Sequence, residues 1–341
     1  MTDQPSQPSQ GSQPAWTPGK FLRSDIGRLA VMTVLIFALM AVLAYPRFLS
    51  AGNMGSMAFQ FPEFAILSLA MMVTMLTGGI DLSIIGIANL SAIVAAFILS
   101  ALAGPQAVGV DAALVILVAV AASIAIGALA GIVNGVAIAT FGLPPILATL
   151  GTGLIFTGLG VAFTGGSAVL GFPAAFSVIG NGTLAGIPVP LIVVLLLAAF
   201  VWIVLDRTAF GIKIQMLGTN PLAIRFAGIN DVAVILRTYL ISGVFSAIAG
   251  LVIMSRANSA KADYGSSYLL LSILICVLGG INPYGGAGRV GGLLLAVLSL
   301  QFLSSGLNMM QVSNFAKEFI WGGLLLLVMV ANGVQFLKKG R

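Results

Sequence analysis

Apolar residues run along this chain in long, nearly unbroken stretches, separated by short polar breaks. Neither the strict alternation of a half-buried strand nor the single stripe of a surface helix dominates. At about 20 residues per membrane span, the stretches fall near residues 28–46, 58–77, 84–103, 112–139, 145–163, 189–205, 237–255, 267–281, 290–308 and 318–337. The pattern predicts an all-α polytopic membrane protein with about ten spans, because backbone groups in lipid must be satisfied within each span. Barrel strands would instead alternate over segments of about ten residues.

The break that organises the rest is Thr77-Gly78-Gly79-Ile80-Asp81-Leu82-Ser83, set between the apolar runs Phe64–Leu76 and Ile84–Leu102. Paired glycines end one helix, since glycine tolerates the left-handed conformation found at C-termini. Asp81 or Ser83 then satisfies free N–H groups at the start of the next helix. A carboxylate at mid-membrane depth is unfavourable, so Asp81 lies at a water interface, lines a cavity or caps a helix. Two readings stay open: a capped turn between spans, and a break lining a transport path. Leu278-Gly279-Gly280-Ile281-Asn282-Pro283 echoes the same spelling between two later apolar runs. Repeated halves of this kind recur in transporters.

Residues 1–27, rich in Gln, Pro and Ser up to Lys20, are expected to form a disordered cytoplasmic tail. They do not read as a cleaved signal, because Arg23 and Arg28 lead into a full-length apolar run rather than a short core with a small-residue cleavage site. With the N-terminus inside, Lys20, Arg23, Arg28, Arg207, Lys213, Arg225, Arg237, Arg289, Lys338, Lys339 and Arg341 fall on the inner side. Arg47, Arg256, Lys261 and Lys317 fall on the outer side. That excess obeys the positive-inside rule and places both termini in the cytoplasm, with 338–341 as a short basic tail behind the transmembrane domain 28–337.

Two loops are long. Residues 164–188, uncharged and Gly-rich, fall on the outer side, either as a surface that packs on the outer mouth and meets a partner or as a re-entrant or merely packed loop. The inner loop, 206–236, carries a short helix over about 219–228. Thr219 or Asn220 caps it, Pro221 suits its first position, and Gly228 supplies the stop. Leu222 and Phe226 share one face four residues apart, while Arg225 points elsewhere. A two-turn helix is marginal alone in water, so it packs either on a soluble partner or on the protein's own inner surface. Gly127, Gly131 and Gly135, with Asn134 beside them, form a doubled small-residue motif for close helix packing. Pro144-Pro145 open a span in which Thr149 and Thr152 lie three apart, bonding back to their own helix or facing a cavity.

Composition narrows the chemistry. The 341 residues are 59% hydrophobic and only 7% charged, with 42 glycines, one cysteine and no histidine. Cys276, inside an apolar run, reads as a small buried hydrophobe. The lack of histidine removes the usual metal ligand and general base, and the acidic residues are scattered singly. No catalytic residues, no metal site and no cofactor are expected: the chain is not read as an enzyme. A net charge of +6 is spread along the chain, which matches membrane topology and argues against a nucleic-acid partner. No phosphate-cradling Gly-x-x-x-x-Gly-Lys motif occurs. The membrane acids are few, Glu63 near one end of the second span and Asp81. Both absences push energy coupling onto another subunit.

Four stretches carry a family resemblance: TGGIDLSIIGIANLSA (77–92), LPPILATLGTGLIFTGL (143–159), GTNPLAIRFAGIN (218–230) and LGGINPYGGAGRVGG (278–292). In this order they resemble the membrane permease of a binding-protein-dependent ATP-binding-cassette sugar importer of the ribose/xylose/galactose type. The chain departs from the usual wording at Ile84-Ile85-Gly86 and at Ile281-Asn282-Pro283, which obscures the cargo. The resemblance implies a multi-pass protein of the bacterial inner membrane, surrounded by lipid and paired with a second permease chain, identical or related. It further implies a cytoplasmic ATPase subunit and a periplasmic sugar-binding protein. Thr219, Asn220, Pro221, Leu222, Arg225, Phe226 and Gly228 would couple to the ATPase. Gly78, Gly79, Asp81, Ser83, Asn89, Gly279, Gly280 and Asn282 would mark the translocation path or its helix breaks. An ion-coupled secondary transporter using Asp81 or Glu63, and a scaffold subunit with no path, are the competing readings.

Overall fold

A computed structural model describes the backbone of residues 25–339 and the side chains of 26–330. The expected disordered tail lies almost wholly outside these residues, as does the end of the basic segment 338–341. The chain forms helices α1 (Asp25–Leu43), α2 (Ala51–Met75), α3 (Ile84–Leu102), α4 (Gly109–Ala139) and α5 (Pro145–Thr164). After the long loop come α6 (Val189–Arg207), α7 (Ala209–Thr219), α8 (Pro221–Phe226) and α9 (Asp231–Ala257). The chain closes with α10 (Tyr268–Leu278), α11 (Val290–Met309) and α12 (Asn314–Lys339).

Every predicted span has its helix. Among the described residues, 8 helices are long and apolar enough to cross a membrane. The stretch predicted at 267–281 is only the 11-residue helix α10, too short at 1.5 Å per residue for a full bilayer. The predicted 318–337 stretch lies inside α12.

Enclosure differs sharply among the helices. In α2, 83% of the apolar stretch is buried, against 22% in α1, α4 and α5. The second span begins earlier than the hydropathy pattern suggests. Ser50 caps it, accepting from Asn53 N at 3.3 Å, and Pro62 lies in the middle of the helix. Glu63 is therefore mid-helix, not near an end. Around α2 pack α6, α9, α10 and α11, while α3, α4 and α9 form a second closely packed group.

The three glycines of α4 do what their spacing predicts. A Cβ on Gly127 would lie 2.4 Å from Gly243 O, and one on Gly131 would lie 2.3 Å from Tyr239 O. A Cβ on Gly135 would press on Leu236 Cα at 3.0 Å. Only glycine lets the backbones of α4 and α9 approach this closely.

The loop 164–188 folds back on the bundle. It contains a 3-10 turn (Ala174–Ser177), a single helical turn (Val178–Asn181) and a two-stranded ribbon, β1 (Thr183–Leu184) with β2 (Ile187–Pro188). Phe172 and Phe176 are buried edge to face at 5.8 Å. Ser255 Oγ donates to Phe176 O at 2.7 Å and accepts from Gly180 N at 2.8 Å. The loop thus covers the C-terminal end of α9. Cys276 is buried, with its thiol 3.4 Å from Ser68 O.

Candidate functional site

The first break is a polar junction buried in the bundle. Gly78 takes a φ of +81°, and a Cβ on Gly79 would lie 2.5 Å from Tyr239 Oη. Asp81 has no exposed surface. Its Oδ1 accepts from Ser83 N at 3.0 Å and from Ser83 Oγ at 2.6 Å, and its Oδ2 accepts from Ser242 Oγ at 2.8 Å. The bond to Ser83 N holds the turn that launches α3 at Ile84.

The junction extends across three further helices. Asn134 of α4 donates from Nδ2 to Ser83 Oγ at 2.7 Å, and its Oδ1 accepts from Thr152 of α5 at 2.5 Å. Thr149 accepts from Leu82 N at 3.0 Å, and its single hydroxyl hydrogen faces Ile80 O at 3.0 Å and Pro145 O at 2.8 Å. A relay of donors therefore runs from Thr152 through Asn134 and Ser83 to Asp81, joined there by Ser242 of α9. Thr149 and Thr152 each bond their own helix as expected, yet both also serve this web. Buried polar groups that find partners in several helices fix how those helices sit. Tyr239 Oη, buried beside Gly79, finds no hydrogen-bond partner among the described residues.

The second break repeats this turn chemistry with a neutral residue. Asn282 Oδ1 accepts from Tyr284 N at 3.0 Å, two residues on, just as Asp81 accepts from Ser83. The left-handed glycine differs in position: Gly280, the second of its pair, has φ +80°, whereas Gly78 is the first of its own. Gly279 instead packs against α11, where a Cβ would lie 2.9 Å from Leu293 Cα. The two breaks touch directly, with Gly286 N donating to Leu76 O at 2.9 Å.

Asn89 stands apart from both. Its Nδ2 donates to Ala262 O and Tyr264 O, each at 2.9 Å, which ties α3 to the segment between α9 and α10.

The short inner helix is narrower than expected, Pro221–Phe226 rather than 219–228. Asn220, not Thr219, is its cap: Oδ1 accepts from Leu222 N and Ala223 N, both at 3.1 Å. The Thr219 hydroxyl bonds back to Gln215 O and Met216 O, closing α7, a helix that the hydropathy pattern leaves unmarked. Gly228 stops the turn with φ +69°. Ile224 is fully buried and anchors the helix, while Leu222 is 64% and Phe226 91% exposed. Arg225 turns back to Asp231, with Nε donating to Oδ2 at 2.7 Å. The helix is thus held on one side and presents two large apolar side chains on the other.

Glu63 is in a different cluster from Asp81. Its Oε1 pairs with Arg256 Nε at 3.1 Å, and its Oε2 accepts from Tyr268 Oη at 3.1 Å. Tyr268 also meets Phe64 edge to face at 4.8 Å. Four contributors escape a reading of the sequence: Ser242, Tyr239, Arg256 and Tyr268. For Ser242 a signal exists, because Thr238, Ser242 and Ser246 recur every four residues and mark one polar stripe on an apolar helix. Arg256 was legible only as a loop charge, since nothing local reveals a partner nearly 200 positions away.

Comparison with known proteins bears on this arrangement. Residues 53–329 match the model of the family described as "Branched-chain amino acid transport system / permease component". The ribose import permease protein RbsC of Bacillus subtilis (strain 168) is 35% identical over 301 residues, 88% of this chain and 90% of that protein. The autoinducer 2 import system permease protein LsrD of Yersinia pseudotuberculosis (serotype O:1b) is 36% identical over 201 residues, which cover 57% of this chain and 60% of that protein. Its counterpart in Yersinia pestis (strain Pestoides F) is 35% identical over 201 residues, with the same coverage. No solved structure matches the chain.

Proposed function

Because the chain belongs to the branched-chain amino acid transport system permease family, a transport component of the inner membrane rather than an enzyme, we propose that it forms the membrane path of an importer for a sugar or sugar-like cargo. The names of the similar permeases, for ribose and for autoinducer 2, support that class of cargo. In this reading a separate cytoplasmic ATPase subunit drives transport. A periplasmic binding protein delivers the cargo and makes most of the selection. A second permease chain, identical or related, completes the path. The weakly enclosed α4 and α5 face lipid or that second chain.

The observation that carries the reading is α8. It is capped, anchored by the buried Ile224 and braced by the Arg225–Asp231 pair, yet it exposes Leu222 and Phe226. It follows α7 directly, where Gly218 meets both breaks, and its apolar face does not pack on the core. An apolar anchor on a short braced helix suits insertion into a groove on a soluble partner. The breaks at Gly78–Ser83 and Gly279–Asn282 lie beside it and, in this reading, shift as the bundle alternates between inward- and outward-open states.

The test is extraction from native membranes followed by mass spectrometry of the retained proteins, comparing wild type with Phe226→Asp. Phe226 is 91% exposed, so the substitution leaves the bundle folded. An ATPase subunit retained by wild type and lost from the variant is the expected result. An ATPase retained equally by both would remove α8 as the docking element.

A further inference from the structure

Three segments meet where α7 ends, and four glycines let their backbones touch. A Cβ on Gly218 would lie 2.1 Å from Leu76 O and 2.4 Å from Gly286 N. One on Gly285 would lie 2.7 Å from both Gly218 Cα and Gly78 N, and one on Gly286 would lie 2.2 Å from Thr219 Cγ2. Gly78 faces Tyr284 O at 3.2 Å, measured from the same added Cβ. The Gly286 N–H bond to Leu76 O crosses the centre of the contact. Gly285 and Gly286 have φ of +94° and +83°, which side-chain-bearing residues rarely adopt.

This contact is placed between two functional elements. Two residues after Gly218 stands Asn220, the cap of α8. Five residues after Leu76 stands Asp81, the acceptor at the centre of the four-helix web. Side chains can rotate to absorb a displacement, whereas backbone pressed on backbone has no such slack. We propose that this glycine joint transmits movement of α8 into the Asp81 junction, so that α7–α8 and the two breaks shift as one body. Gly218 is then a positioning residue for transport, acting through Leu76 and Gly286 without touching cargo or nucleotide. The inference rests on α8 being the ATPase-docking helix.

The experiment uses the whole complex, extracted with its ATPase, and follows backbone hydrogen exchange in peptides covering residues 76–83 with and without ATP plus vanadate. Wild type is expected to show a nucleotide-dependent change in that peptide. Gly218→Ala is expected to retain the ATPase but to lose the change. Gly291→Ala, at a glycine with open space around it, is expected to behave as wild type. An unchanged 76–83 peptide in nucleotide-treated wild type would overturn the joint, as would a change that survives intact in Gly218→Ala. If Gly218→Ala is not recovered as folded protein, Gly285→Ala, on the other side of the same contact, is expected to retain the ATPase and lose the change, and a change that survives intact in it would equally overturn the joint. A wild-type permease that retains no ATPase would instead remove the docking role of α8, a separate failure.

Discussion

Two buried carboxylates in this bundle are treated in opposite ways. Among the described residues, Asp81 is held by uncharged donors, the Ser83 amide and the hydroxyls of Ser83 and Ser242. Glu63 is held by a guanidinium, with Tyr268 on its second oxygen. Exposure does not separate them, at 0% for Asp81 and 3% for Glu63. What separates them is the number of elements each one organises. Asp81 shapes a turn, draws in α4 and α5 through Ser83 and Asn134, and holds α9 directly through Ser242. Glu63 fastens α2 to the end of α9 and the start of α10 by charge. The comparison teaches that an acid inside a membrane bundle need not be an ion site: shape can be its work, and then a neutral isostere should suffice. An acid paired with a cation has no such substitute.

That contrast sets an order of expected effects. Glu63→Gln should be the most damaging, because it leaves Arg256 largely buried with no counter-charge. Breaking a buried pair costs about 3–5 kcal/mol, and the lower end applies because the Arg256 side chain is 29% exposed. The midpoint of thermal unfolding in detergent measures it. Glu63→Gln/Arg256→Met should recover most of that loss, since neither charge remains. If the double variant is no better than the single one, charge is not what the Glu63 cluster contributes.

Asp81→Ala should come next, at about 2 kcal/mol, because the fixed Ser83 amide loses its acceptor while the Ser83 and Ser242 hydroxyls are free to turn. Ser242→Ala removes one donor from the carboxylate and should cost about 1.5 kcal/mol by the same unfolding measurement. Asp81→Asn should cost least, under about 1 kcal/mol: Asn keeps an acceptor for Ser83 N, and the Ser242 hydroxyl can turn to accept from the new amide. Uptake by membranes containing normal levels of Asp81→Asn should stay close to wild type. Complete loss of uptake at normal stability would return Asp81 to the transport path and end the distinction between the two acids.

The spans were legible because lipid leaves a chain so few options. A run of about 20 apolar residues has to close its own backbone bonds as a helix, and hydropathy alone finds where such runs start and stop. The first break, the Asn220–Gly228 punctuation of the inner loop and the α4 glycines were legible for a related reason. Capping, left-handed turns and close approach each demand particular residues at particular spacings. Where those local demands weaken, the reading fails. The early start of α2 was missed because Gly52, Asn53, Gly55 and Ser56 look like a loop, though Ser50 caps a helix there. The helix α7 was missed because its polar residues hide the period.

What the tertiary structure alone decided is which of these pieces touch. By itself the chain determined a glycine-broken, helical membrane protein with a capped inner helix, since each of those features depends on neighbours within a turn or two. It could not determine that Ser242 completes the Asp81 junction across 161 positions, or that Arg256 answers Glu63. Nor could it bring Gly218 against both breaks at once. Such contacts depend on how helices stack, and the stacking minimises gaps over the whole bundle. No local pattern encodes it.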